Sequence, residues 1–177
     1  MASTRLSTYA PNQVTIVVSQ DDWTHVVSQY SEDSIVTIER NAETFTLYTG
    51  ADDTSTRIFN ANSSGNITIA LQQTSASNDV FNAIYERDRG TRNGLFNITV
   101  RDNSGRSEYY AEEAYIGVIP NSAFANSMQT REWVIHAPRL DHVIGGNSLV
   151  SDEDKATLNA LGVDVGPVSY THLTLPT

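Results

Sequence analysis

The stretch Gly65-Asn66-Ile67-Thr68-Ile69-Ala70-Leu71-Gln72-Gln73-Thr74-Ser75-Ala76-Ser77-Asn78-Asp79-Val80-Phe81-Asn82-Ala83-Ile84-Tyr85 changes its hydrophobic period once. Ile67, Ile69 and Leu71 alternate, the pattern of a strand with one buried face. From Ser77 the spacing becomes three and four, with Val80, Phe81, Ala83, Ile84 and Tyr85 forming the stripe of an amphipathic helix. Ser77 is the expected N-cap, and Asp79 sits where the helix dipole favours an acid. Arg87 and Arg89 suit the last turn, and Gly90 is the expected left-handed cap. A strand running directly into a helix predicts a central α-helix near residues 77–89.

Outward from this point the chain reads as strand. Alternation is seen at 13–19 (Val14, Ile16, Val18), 35–40 (Val36, Ile38), 44–49 (Phe45, Leu47), 95–101 (Phe96, Ile98, Val100) and 130–137 (Trp133, Ile135). Residues 57–60 and 140–144 are weaker candidates. The turn Asp102-Asn103-Ser104-Gly105 joins 95–101 to a strand at 109–119, which predicts a hairpin. Gln20–Ser34 reads as a polar loop, and Gly50-Ala51-Asp52-Asp53 as a turn. Ser151 with Asp154 three residues on resembles a capping box and predicts a short helix near 151–161. The count is about eight short, mostly antiparallel strands, a mainly β sandwich or partial barrel.

Composition agrees with one β domain. The 177 residues are 39% hydrophobic and 18% charged, too apolar for disorder and too lightly charged for a coiled coil. The formal charge is -10, and Lys155 is the single lysine. That field repels a phosphate backbone, so tight non-specific nucleic-acid binding is not expected. It is equally consistent with an acidity that simply keeps the protein soluble. No cysteine is present, which excludes disulfides and thiolate chemistry. The first eleven residues lack the apolar run of a secretion signal, and no stretch approaches transmembrane length. Synthesis and folding in a cytoplasm, with no membrane partner, is the expectation.

Residues 167–177, Pro-Val-Ser-Tyr-Thr-His-Leu-Thr-Leu-Pro-Thr, resemble the translation of a transposase-type sequencing adapter. They are expected to be non-native and carry no functional weight here. The expected organisation is a β domain over 1–147, an extension with a short helix over 148–166, and this tail.

Catalytic chemistry finds no foothold, and the expectation is a non-enzyme with no cofactor and no metal. No P-loop, dinucleotide fingerprint, H-E-x-x-H or G-x-S-x-G motif occurs. His25, His136 and His142 are scattered. Glu112 and Glu113, adjacent in a strand, are expected on opposite faces and therefore cannot act as a pair. Asp21/Asp22 and Asp52/Asp53 sit in expected loops, where solvated turn residues explain them better than a cation site. More informative are the strand edges, which either close a barrel within the chain or pair with neighbouring copies.

The segments Tyr48-Thr49-Gly50-Ala51-Asp52-Asp53 and Asn62 through Val80, then Phe96–Asp102 and Glu132-Trp133 in order, resemble the tail-tube family of contractile-tailed bacteriophages. The resemblance covers roughly residues 10 to 147. It implies a structural subunit whose copies close into rings, usually hexamers, with neighbouring sheets joined into one inner barrel. Rings would stack into a DNA-conducting tube inside a contractile sheath, in the virion tail after assembly in the host cytoplasm. The implied partners are further copies, the sheath protein, baseplate and tail-terminator proteins, and DNA that passes without specific binding. Closure across copies would resolve the edges, and an acidic lumen would give DNA a repulsive wall. Candidate lumen acids are Glu39 and Glu112. Candidate contacts between subunits or rings are Trp23, Asp52, Asp53 and Arg57, with local packing an equal reading for Trp23. The competing reading is a monomeric β-sandwich that binds carbohydrate or a host surface. Aromatic content of 8%, mostly on expected core faces, speaks against it.

Overall fold

The computed structural model describes residues 9–163. They form two compact units, Tyr9–Gly146 and a second containing residues 147–163. The adapter-like segment 167–177 lies outside the described residues.

In the larger unit, strands β1 (Val14–Gln20), β2 (Trp23–Val26), β3 (Val36–Arg40), β4 (Phe45–Thr49), β5 (Ser55–Phe59) and β6 (Gly65–Gln72) precede helix α1 (Ser77–Thr91). Strands β7 (Phe96–Asp102), β8 (Glu108–Ile116), β9 (Thr130–Ala137) and β10 (Arg139–Val143) follow. The smaller unit carries α2 (Asp152–Ala160). The fold is mainly β, with antiparallel pairing throughout, as the alternation predicts. Ten strands appear rather than about eight. The expected loop 20–34 contains β2, whose four residues are too few and too polar to show a period.

The main sheet runs β2-β1-β7-β8-β9-β6-β3, with β10 added beside β8. Strand β8 serves both halves: its first part pairs β7 and β10, and Tyr115 and Ile116 pair β9. It turns at an extra residue. Phe96 faces Ala114 and Ile98 faces Ala111, so three steps on β8 oppose two on β7. Glu113 there has φ 54°. This is a β-bulge, which bends a strand and locally breaks alternation. In consequence Glu112 and Glu113 are both exposed, not on opposite faces as expected.

Between the two halves lies the core. Ile16, Val18, Ile98 and Val100 come from one half, Ile67, Ile69, Leu71, Trp133 and Ile135 from the other, and Phe81 and Ile84 from α1. The Phe81 and Trp133 rings pack at 5.5 Å. Asn78 locks α1 to the sheet. Its amide donates to the Gln72 and Ser75 carbonyls at 2.9 and 3.0 Å, and its oxygen accepts the Trp133 indole N–H at 2.9 Å.

Both ends of α1 depart from expectation. Ser77 is its first residue and not the cap; Ser75 Oγ accepts the Ser77 N–H instead, at 3.2 Å. The buried Ser77 Oγ is occupied elsewhere, 2.9 Å from His25 Nε2 and accepting the Ser28 N–H at 3.2 Å. At the other end Gly90 stays helical and Arg92 takes the left-handed position, φ 56°. Gly94 sets the turn. Its N–H donates to Asp88 Oδ1 at 3.1 Å, and a Cβ there would meet Asp88 Cβ at 2.2 Å, so only glycine fits. The α2 capping box is as expected: Ser151 Oγ accepts the Asp154 N–H at 3.1 Å and donates to its carboxylate at 2.6 Å.

Candidate functional site

Strands β4 and β5 pair only with each other. Phe45 faces Phe59 and Leu47 faces Arg57 on one side of this hairpin, while Thr46 faces Ile58 and Tyr48 faces Thr56 on the other. Every strand residue is exposed, Leu47 at 72%, Tyr48 at 63% and Phe59 at 65%. The hairpin helps itself where it can. The Arg57 guanidinium lies 4.3 Å above the Phe45 ring, and the Phe45 and Phe59 rings are 5.7 Å apart. A lone two-stranded hairpin is at best marginally stable in water, so an arm that is apolar on both faces is shaped to be covered.

The candidates Asp52, Asp53 and Arg57 all fall on this arm. Asp52 and Asp53 form its tip. The Asp52 carboxylate accepts the Thr54 hydroxyl at 2.7 Å and its N–H at 3.3 Å, and these bonds lower its pKa. Asp53 has φ 64°, the left-handed residue of the turn. Alternation in sequence marked Phe45 and Leu47 as a strand face but placed that face on the core. The expectation that most aromatics are core residues is corrected here: Phe45, Tyr48, Phe59 and Phe124 are exposed.

Trp23 stands elsewhere, at the start of β2 and half-buried, its indole N–H donating to Gln20 Oε1 at 3.2 Å. Together with Val80, Ala83, Ile84 and Arg87 of α1 it lines an apolar groove of about 260 Å³. Glu39 lies on β3 opposite Asn66, and Glu112 on β8 opposite Arg139. Both are exposed, and Glu112 accepts the Tyr110 hydroxyl at 3.1 Å. Loss of solvation, then this carboxylate, raises the Tyr110 pKa. Strands β2, β3 and β10 each have a single neighbour in the main sheet, and β10 is also held by the Ser63 carbonyl, which accepts the Leu140 N–H at 2.9 Å.

The strand expected over 109–119 stops three residues early, at Ile116. Residues 117–129 connect β8 to β9 without secondary structure, carrying Val118, Ile119, Phe124 and Met128 to the surface. The strand ends at Ile116 because that is the last residue paired with β9. Among the described residues no group of three His, Asp or Glu is arranged to hold a metal ion. No helix there is long and apolar enough to cross a membrane.

Residues 6–145 match the family model described as the bacteriophage PhiTE tail tube protein. The chain belongs to this phage tail-tube family. It is also 51% identical over 165 residues to "Structural protein ORF10" of Pseudomonas phage KPP10, covering 91% of this chain and 95% of that one. Membership makes it a structural protein of phage tails, a component of the virion. Two solved structures share the fold at 13% identity and a TM-score of 0.52, each covering 79% of this chain. They are the sheath/tube terminator of an extracellular contractile injection system, PVC, over 99% of its chain, and a chain of the PVC sheath–tube complex in the extended state, over 94%.

Proposed function

We propose that this chain is the tube subunit of a contractile phage tail, closing into rings, hexamers on the family's pattern, that stack into a channel for DNA. The observation that carries the reading is the β4–β5 arm. An acidic subunit that keeps five large apolar side chains exposed on a separate two-stranded hairpin gains from burying them against another copy, at about 25 cal/mol per Å² of apolar surface. The edges at β2 and β3 offer backbone pairing to the same neighbours. In this reading Asp52, Asp53 and Arg57 meet an adjacent ring, Trp23 an adjacent subunit, and Glu39 and Glu112 contribute to an acidic lumen. The sheath surrounds the tube, baseplate and terminator proteins close its ends, and assembly takes place in the host cytoplasm. The role needs no catalytic group.

A terminator subunit is the second reading, favoured by the equal likeness to the PVC sheath/tube terminator. Negative-stain microscopy of the purified chain separates the possibilities. Tubes of indefinite length support the tube subunit, single rings that never stack support a terminator, and a monomer at every concentration refutes both in favour of the binding module.

A further inference from the structure

The surface that meets Trp23 is still without an identity, and the exposed 117–129 segment is without a role. Val80, Ala83, Ile84 and Arg87, at helical spacing, turn one face of α1 toward Trp23 and Gly94. Asn78 and Phe81, roughly 100° or more around the helix, turn toward Trp133 of β9. The 117–129 segment leaves β8 beyond Ala114, the partner of Phe96, and returns at Thr130, the partner of Gln72. None of its residues lines the groove of its own chain, and Phe124 stands exposed.

We propose that the 117–129 segment of one copy lies in the Trp23 groove of the next copy, with Phe124 as its anchor; this rests on the ring reading above. Three properties select a second copy as the occupant. The first is charge. Between Tyr9 and Gly146 nine arginines stand against seventeen acids, a formal -8, so like copies repel unless they meet through uncharged surface. Residues 117–129 are thirteen in a row without a charged side chain, and Arg87 is the single charged residue in the groove lining.

The second is reach. Thirteen residues have a contour of about 45 Å, against a radius of gyration of about 14 Å for a domain of this size. Structureless loops of that length in compact domains usually serve a function. The third is area. Phe124 is 80% exposed, and burying an aromatic side chain removes about 150–250 Å² from water. That is roughly a fifth to a third of the ~800 Å² each partner gives to a stable interface. Groove and 117–129 segment are different patches of one chain, so their contact is heterologous, the kind that generates a ring when the rotation closes.

Because the chain has no cysteine, introduced thiols are unique. Full-length Ala83→Cys and Asn126→Cys variants, mixed and assembled, are treated with a short bis-maleimide. The expected result is a covalent dimer in the mixture alone, and a ladder ending at the ring number for the double variant. Adding Phe124→Ser is expected to lower dimer yield at least tenfold while leaving the melting temperature unchanged. Tubes or rings that give no cross-link overturn the inference and leave the ring reading standing. So does an Ala83→Cys thiol that reacts as fast in tubes as in the monomer, which would reserve the groove for a different protein. Failure of every variant and of the parent chain to assemble overturns the ring reading as well.

Discussion

Replacing Leu47 and Phe59 together by serine separates a folding role for the β4–β5 arm from an assembly role. In the isolated subunit these side chains are 72% and 65% exposed, so each has about a third of its surface to lose. Full burial of such a side chain contributes about 1.5–3 kcal/mol, which puts each loss at about 0.5–1 kcal/mol. Even that is confined to a hairpin that pairs with no other strand. Truncating a core residue such as Phe81, fully buried against Trp133, costs about 3–5 kcal/mol. In an interface, by contrast, apolar anchors that lose a pocket cost about 2 kcal/mol or more, a change of about thirty-fold in the assembly equilibrium. Thermal unfolding of the dissociated subunit and the critical concentration for tube formation, read by sedimentation, measure the two effects. The expected outcome is a nearly unchanged melting temperature with a critical concentration raised about thirty-fold or more. A drop in melting temperature comparable to Phe81→Ala, or tubes that form at the parent concentration, refutes the reasoning.

Asn78→Ala removes three hydrogen bonds at the start of α1 and strands the Trp133 indole N–H. At about 2 kcal/mol the melting temperature should fall by about 4–8 °C, and an unchanged value would show that the Asn78 node is dispensable. Burial lowers the His25 pKa below 6.5, so the unfolded chain binds the proton more readily. This contribution is complete above pH 6.5 and is lost as pH falls from there through the folded value; denaturant titrations of His25→Gln should lack that part of the slope, and parallel curves would contradict it. Glu39→Lys with Glu112→Lys should leave assembly intact and slow DNA ejection from reconstituted phage. Unaltered ejection kinetics would remove these two acids from the lumen.

Elements with a clean period were legible in sequence because one face of each is buried. Ile67, Ile69 and Leu71, or Ile98 and Val100, alternate only because the core lies on one side of them. The same rule misled at Phe45 and Leu47, whose alternation is real but whose apolar face meets solvent in the isolated subunit. The pattern marks an apolar face and not what lies against it. Strand β2 escaped notice because four residues cannot show a period, and the β8 bulge because one left-handed glutamate leaves no compositional trace. Ser77 and Asn78 fall in the segment that carries the family resemblance, but their partners His25 and Trp133 lie fifty-two and fifty-five residues away in sequence, a distance local reading does not span.

Hydrogen exchange on residues 45–59, in the dissociated subunit and in the assembled form, tests most directly whether the arm is completed by another copy. The account expects these amides to exchange rapidly in the subunit and to be protected by orders of magnitude after assembly, with β6 and β9 protected in both. Amides on the arm already protected in the monomer, or still exchanging freely in a formed tube, would contradict it.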